Sequence, residues 1–185
     1  MKNKGFTLTE MVVVVAIIVL LISIGIPAYL SSVKRAEIRN VANGLCDLIS
    51  TLYEYEDKEL NYDKYFLKIN NYIVPDARGE RYLTIQLISY RNNSENVMKE
   101  IKSKIAELES DIIVSGAGTV YTYVYYDNEG VLWRFAGGSP ANRSVQARYL
   151  NTNKEIIVKA RNTSGGYQKK VIIMALPPGS VKIDN

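Results

Sequence analysis

One carboxylate, Glu10, stands at the head of twenty residues, 11–30, that carry no charge and only two hydroxyl groups, Ser23 and Tyr29. An ionisable group at the edge of a membrane-length apolar segment is costly and as a rule has a specific partner. The chemistry expected of Glu10 is therefore pairing with a cation, not catalysis. Elsewhere, reactive groups are few. The chain has no histidine, which removes the commonest general base and metal ligand. A single cysteine, Cys46, excludes an intrachain disulfide and any multi-cysteine zinc or iron–sulfur site. In line with Ala42, Ile49 and Tyr53, it reads as a buried, inert thiol. Gly116-x-Gly118 lacks the third glycine of a dinucleotide fingerprint and reads as a turn. Asp127-Asn128-Glu129-Gly130 offers oxygens without the spacing of a calcium loop and reads as a hairpin turn. Glu107, Glu109 and Asp111 read as the solvated face of a helix. No catalytic group, cofactor or metal site is expected, and the chain does not read as an enzyme.

The element that positions Glu10 is the apolar run itself. Twenty residues at about 1.5 Å each span roughly 30 Å, the thickness of a bilayer's hydrocarbon core. Thirteen of the twenty are Val, Leu or Ile, so insertion gains on the order of 4–8 kcal/mol. A cleaved secretory signal would find its basic start in Lys2 and Lys4 and a cleavage site at Ser23-Ile24-Gly25, but has no use for Glu10. A plain membrane anchor explains the length and leaves the carboxylate unexplained.

A third reading explains it. Lys4-Gly5-Phe6-Thr7-Leu8-Thr9-Glu10 abutting a membrane-length apolar stretch resembles the prepilin signature of type IV pilins and related pseudopilins. The resemblance covers about the first thirty residues. It implies a short basic leader, residues 1–5, cut after Gly5 by a prepilin peptidase. It further implies N-methylation of the new terminus at Phe6, and a requirement for Glu10 in assembly. Cleavage would create an α-amine at Phe6 with a reference pKa near 8, protonated in a filament core and in need of an anion. The resemblance places that anion on a neighbouring subunit, so that only correctly registered copies satisfy both charges. Glu10 can also favour the positive end of its own helix, an effect of about 0.3–1 kcal/mol.

After Lys34 the pattern becomes one-sided. Ile38, Val41, Ala42, Leu45, Leu48, Ile49, Leu52 and Tyr53 recur at spacings of three and four, one face of a helix. A helix over 6–57 is expected, its first part (6–33) transmembrane or filament core and its second (34–57) amphipathic. Pro27 removes a backbone hydrogen bond and clashes with the Ser23 carbonyl; with Gly25, it marks the helix's weakest point, where a kink is expected. Residues 58–185 read as a globular α+β head. A strand is expected over 82–90, and a helix over 94–112 from Val97, Ile101, Ile105, Leu108 and Ile112, with Ser94 as its N-cap. Hairpins are expected between 119–126 and 131–135 and between 155–160 and 168–175. From Pro177-Pro178-Gly179 onward a loose tail is expected. The fold class is α+β: a long N-terminal helix, its first half transmembrane, packed against a small antiparallel sheet as in pilins. Many pilins close a C-terminal loop with a disulfide; one cysteine cannot, so that region is expected to be held differently or to lack the loop.

Charge is uneven. The formal net charge is +4, and loss of Lys2 and Lys4 would leave +2. Residues 140–185 hold eight bases (Arg143, Arg148, Lys154, Lys159, Arg161, Lys169, Lys170, Lys182) against two acids, a local +6, whereas residues 54–111 hold twelve acids against nine bases, a local −3. The bases form a candidate interaction surface. Packing of complementary faces between subunits is the favoured use, and contact with nucleic acid the less favoured one.

Together these observations imply a membrane-inserted prepilin, single-pass in the inner or cytoplasmic membrane, then part of an extracellular pilus or cell-envelope filament. Implied partners are the prepilin peptidase, the assembly machinery, and copies of this chain or other pilins. Two further readings stay open: a pseudopilin of a type II secretion or competence DNA-uptake system, and a membrane-anchored binding domain that does not polymerise.

Overall fold

The structure, a computed structural model, describes residues 7–59, 64–114, 121–142, 148–161 and 166–184. Internal contacts divide the chain into two units, Met1–Ala36 and Glu37–Asn185. In the first, every described residue is exposed. Helix α1 (Leu8–Glu59) begins there and runs without a break through Gly25 and Pro27. Ser23 Oγ turns back to donate to the Leu20 carbonyl at 2.8 Å, one turn before the proline. Among the described residues, α1 is the one helix long and apolar enough to cross a membrane.

In the second unit α1 changes character as the residue pattern requires. Ile38, Val41, Ala42, Leu45, Leu48, Ile49 and Leu52 are buried along one stripe. The stripe packs into an antiparallel β domain, giving the α+β layout of a pilin-like fold. One sheet has six strands in the order β3-β2-β1-β5-β6-β7, and a second has four in the order β10-β9-β8-β4. Their ranges are β1 (Tyr65–Pro75), β2 (Arg81–Arg91), β3 (Ser94–Ser103), β4 (Ala106–Glu109), β5 (Tyr121–Tyr126), β6 (Leu132–Gly137), β7 (Arg148–Leu150), β8 (Lys154–Ala160), β9 (Gln168–Ile173) and β10 (Val181–Asp184). The main core joins the α1 stripe to Leu67, Ile69, Leu83, Ile85, Leu87 and Val124 of the larger sheet and to Leu108, Ile156, Val158, Val171 and Ile173 of the smaller. Alternation along each strand produces this inward face. Gly44 on α1 lets the Ile101 side chain approach to where a Cβ would stand, 2.6 Å from Cδ1. The outer face of the larger sheet builds a separate aromatic cluster from Phe66, Ile88, Tyr123, Tyr125 and Phe135.

The strand over 82–90 and the Asp127–Gly130 hairpin are present. Asp127 Oδ1 accepts from the amides of Glu129 and Val131, at 3.0 and 2.8 Å, and Gly130 supplies the positive φ of 73°. Gly116-x-Gly118 lies outside the described residues. Two expectations are corrected. Residues 94–112 are not a helix but mainly the two strands β3 and β4. Asn92 and Asn93, with φ of 51° and 63°, reverse the chain ahead of β3, and a two-residue turn of positive φ is the ordinary hairpin device. Val97 faces Ile88 and Lys99 faces Leu87, so Met98 is an extra, bulged residue that switches the alternation. Val97 and Ile101 therefore point to opposite faces, and their spacing of four imitates a helix. The expected loose tail is also absent. β10 pairs with β9, and Ser50 Oγ donates to the Gly179 carbonyl at 3.2 Å.

Candidate assembly site

Helix α1 starts at a reciprocal cap. Thr7 is the N-cap: its hydroxyl accepts the Glu10 amide at 3.3 Å and its carbonyl accepts the Met11 amide at 3.2 Å. Glu10, three residues on, returns the bond, its Oε2 accepting both the Thr7 amide and the Thr7 hydroxyl at 2.8 Å. Thr-x-x-Glu is the sequence form of this capping box. It satisfies amides that the first turn would leave without partners. Both bonds land on Oε2. A carboxylate offers about four lone-pair sites, and the cap, as seen among the described residues, does not use Oε1, an acceptor that a cation could take. Sequence reasoning anticipated the interaction of Glu10 with its own helix dipole but missed the part played by Thr7, although the signal (a hydroxyl residue three before a glutamate, followed by an apolar run) was legible. Gly5 and Phe6 lie outside the described residues. The apolar face beyond the cap is complete, with Met11, Val12 and the residues that follow through Val33 exposed. A Cβ at Gly25 would meet nothing within 4 Å.

Of the basic residues singled out in the C-terminal region, Lys154 and Lys159 stand on β8 and Lys169 and Lys170 on its neighbour β9, and Lys154, Lys159 and Lys170 have acidic partners within the chain. Lys154 reaches Asp111 at 2.8 Å, Lys159 reaches Glu109 at 2.6 Å and Glu107 at 3.4 Å, and Lys170 reaches Glu155 at 2.9 Å. The Lys154 ammonium holds the Asp111 carboxyl below its usual range. Arg161 lies over the Tyr72 ring, its guanidinium carbon 4.0 Å from the centroid, and Lys169 is 5.8 Å from the Tyr167 ring. Arg148 is exposed on β7, and Arg143 lies outside the described residues. The acidic and basic stretches of sequence thus meet within one chain. Glu107 and Glu109 stand on β4, not on a helix, as the acidic partners of Lys159.

Cys46 is half-buried on α1, packed against the core, and burial raises its thiol to about 11. No group of three or more His, Cys, Asp or Glu side chains able to hold a metal ion occurs among the described residues. No curated protein and no solved structure matches the chain. Residues 1–26, which take in the cap and most of the apolar segment, match the prokaryotic N-terminal methylation motif, the type IV prepilin-like signature.

Proposed function

We propose that this chain is a structural subunit of a type IV pilus-like filament, processed after Gly5 by a prepilin peptidase, methylated at Phe6 and polymerised through its N-terminal helix. The observation that carries the reading is the coincidence, in one segment, of the methylation motif, a membrane-length exposed apolar helix and a carboxylate at that helix's first turn. In lipid, apolar side chains gain nothing by leaving one hydrocarbon surface for another, so helix association needs packing and polar contacts. A Glu10 carboxylate paired with the methylated amine of a neighbouring copy supplies such a contact, and an unpaired buried charge penalises a misregistered one. The β domain then decorates the filament's exterior. The bases of residues 140–185 contribute less to subunit packing than their number suggests, because Lys154, Lys159 and Lys170 are already paired within the chain.

Mass spectrometry of the N-terminus in sheared surface material and in membranes tests the reading. A methylated Phe6 terminus in the sheared fraction is expected. An intact Met1 terminus confined to membranes would overturn it. Glu10→Ala should strongly reduce the sheared fraction while leaving membrane levels unchanged; unchanged shedding would place the chain among anchored domains that do not polymerise.

A further inference from the structure

On the outer face of the six-stranded sheet, beside the aromatic cluster, lies a depression of about 150 Å³. Its floor is two rows of polar side chains running across the strands. Lys102, Thr84 and Asn70 form one row, since Thr84 stands opposite both of the others; Glu100, Gln86 and Lys68 form the next. Tyr121 and Tyr82 border it, together with Val74, Pro75 and Asp76 at the end of β1. The polar groups are held in place. Gln86 Nε2 donates to Glu100 Oε1 at 2.7 Å. Asn70 is fixed by both side-chain atoms to the Val74 backbone, at 2.8 and 2.9 Å. Lys68 Nζ lies 2.5 Å from Glu95 Oε2 and 4.0 Å from the Tyr121 ring centroid.

We propose that this depression is a carbohydrate-binding site that takes one neutral sugar ring. The lining charges cancel, Lys68 and Lys102 against Asp76 and Glu100, so the site has no field with which to collect a phosphate or a nucleic acid. A concave site with a few fixed polar groups is the usual form of a small-molecule site. Here those groups are a hydroxyl, an amide, a carboxylate and an ammonium on adjacent strands. That mixture suits a ligand whose every hydroxyl both donates and accepts. The two tyrosines supply apolar surface with a polar tip, which suits a ring with C–H faces and O–H edges. Placement on sheet strands keeps the constellation rigid. The site is independent of the N-terminal helix, so it stands or falls apart from the filament reading.

The test uses the full chain in a detergent without a sugar headgroup. Saturation-transfer NMR is run with glucose, galactose, mannose and their N-acetylamino forms, with glucuronate and inorganic phosphate as charged probes. At least one neutral sugar should give a signal. Gln86→Leu and Glu100→Leu, both on the outer face, should weaken binding about tenfold or more, with Glu129→Gln as a control that leaves it unchanged. Circular dichroism verifies that each variant is folded. No signal from any neutral sugar with the wild-type chain, signals from the charged probes alone, or binding that survives both Leu substitutions would overturn the proposal. Shedding of filaments by the Gln86→Leu variant should match wild type, which separates failure here from failure of the filament reading.

Discussion

Thr7 and Glu10 hold each other through three hydrogen bonds, two of which converge on a single carboxylate oxygen, Oε2, at 2.8 Å. The hydroxyl of Thr7 is common to two of the three, so Thr7→Val removes them while preserving shape. The start of α1 should lose about 0.5–2 kcal/mol, the ordinary worth of an N-cap, and Thr7→Ser should restore it. If Glu10 also pairs with an amine on another copy, the loss of Thr7 leaves that carboxylate charged but poorly aimed. Sheared filament from Thr7→Val should therefore fall between wild type and Glu10→Ala. Yields equal to Glu10→Ala would mean that the cap is the whole of Glu10's role.

The C-terminal segment is held to α1 without a disulfide. Gly179 has φ of 73°, and a Cβ there would lie 2.6 Å from Tyr53 Cδ1 and 2.7 Å from its Cβ and Cγ. Pro178 approaches Gly130 in the same way, 2.7 Å from its missing Cβ. Gly179→Ala must therefore meet both a strained backbone and a ring that is braced edge-on against Tyr126 at 5.3 Å. We expect a loss of about 2–4 kcal/mol in urea unfolding, combining about 1–3 for the backbone with about 1–3 for overpacking less what the ring can yield. Adding Tyr53→Ala should remove the steric part alone, so the double variant should lose less than the two single changes summed.

Much of this fold was legible because its signals are local. The α1 stripe from Ile38 to Leu52 needs only a period of 3.6, and the Asp127–Gly130 hairpin only its turn residues. What could not be read depends on distant chain. Met98 is a bulge only by reference to Leu87 and Ile88, and without it Val97 and Ile101 look helical. The C-terminal residues looked loose because their partners, Tyr53 and Ser50, lie more than a hundred residues earlier. Tyr72, at φ of 61°, donates its hydroxyl to the Ala106 carbonyl at 2.6 Å, a tie between the two sheets with no signature in the sequence around it. At the candidate site, Glu10 was legible from its cost and Thr7 only from its spacing to Glu10.

Glu56 shows the same dependence on distance. It falls on the buried stripe of α1, fully enclosed, where Oε2 accepts the Tyr126 amide at 3.2 Å. Glu56→Ala deprives a buried amide of this acceptor and should cost about 1–3 kcal/mol. Glu56→Gln keeps a carbonyl oxygen and should cost less. Equal losses for the two in urea unfolding would show that the charge matters, and not the bond to Tyr126.

Cys46 provides a check on the packing of α1 that needs no substitution. Burial raises the thiol from 9.0 to about 11. The thiolate is the reacting form, so at pH 8 the folded chain should present about a hundredfold less of it than the unfolded chain. The sign follows for stability as well. The folded state retains the proton to higher pH, so this contribution is intact below about pH 9 and is lost as pH rises towards 11. Alkylation by iodoacetamide at pH 8 should be about a hundredfold slower for the folded chain than in urea. Comparable rates would mean that the Ala42–Cys46–Ile49 side of α1 is open to solvent, and that the helix stripe does not dock on the sheets as described.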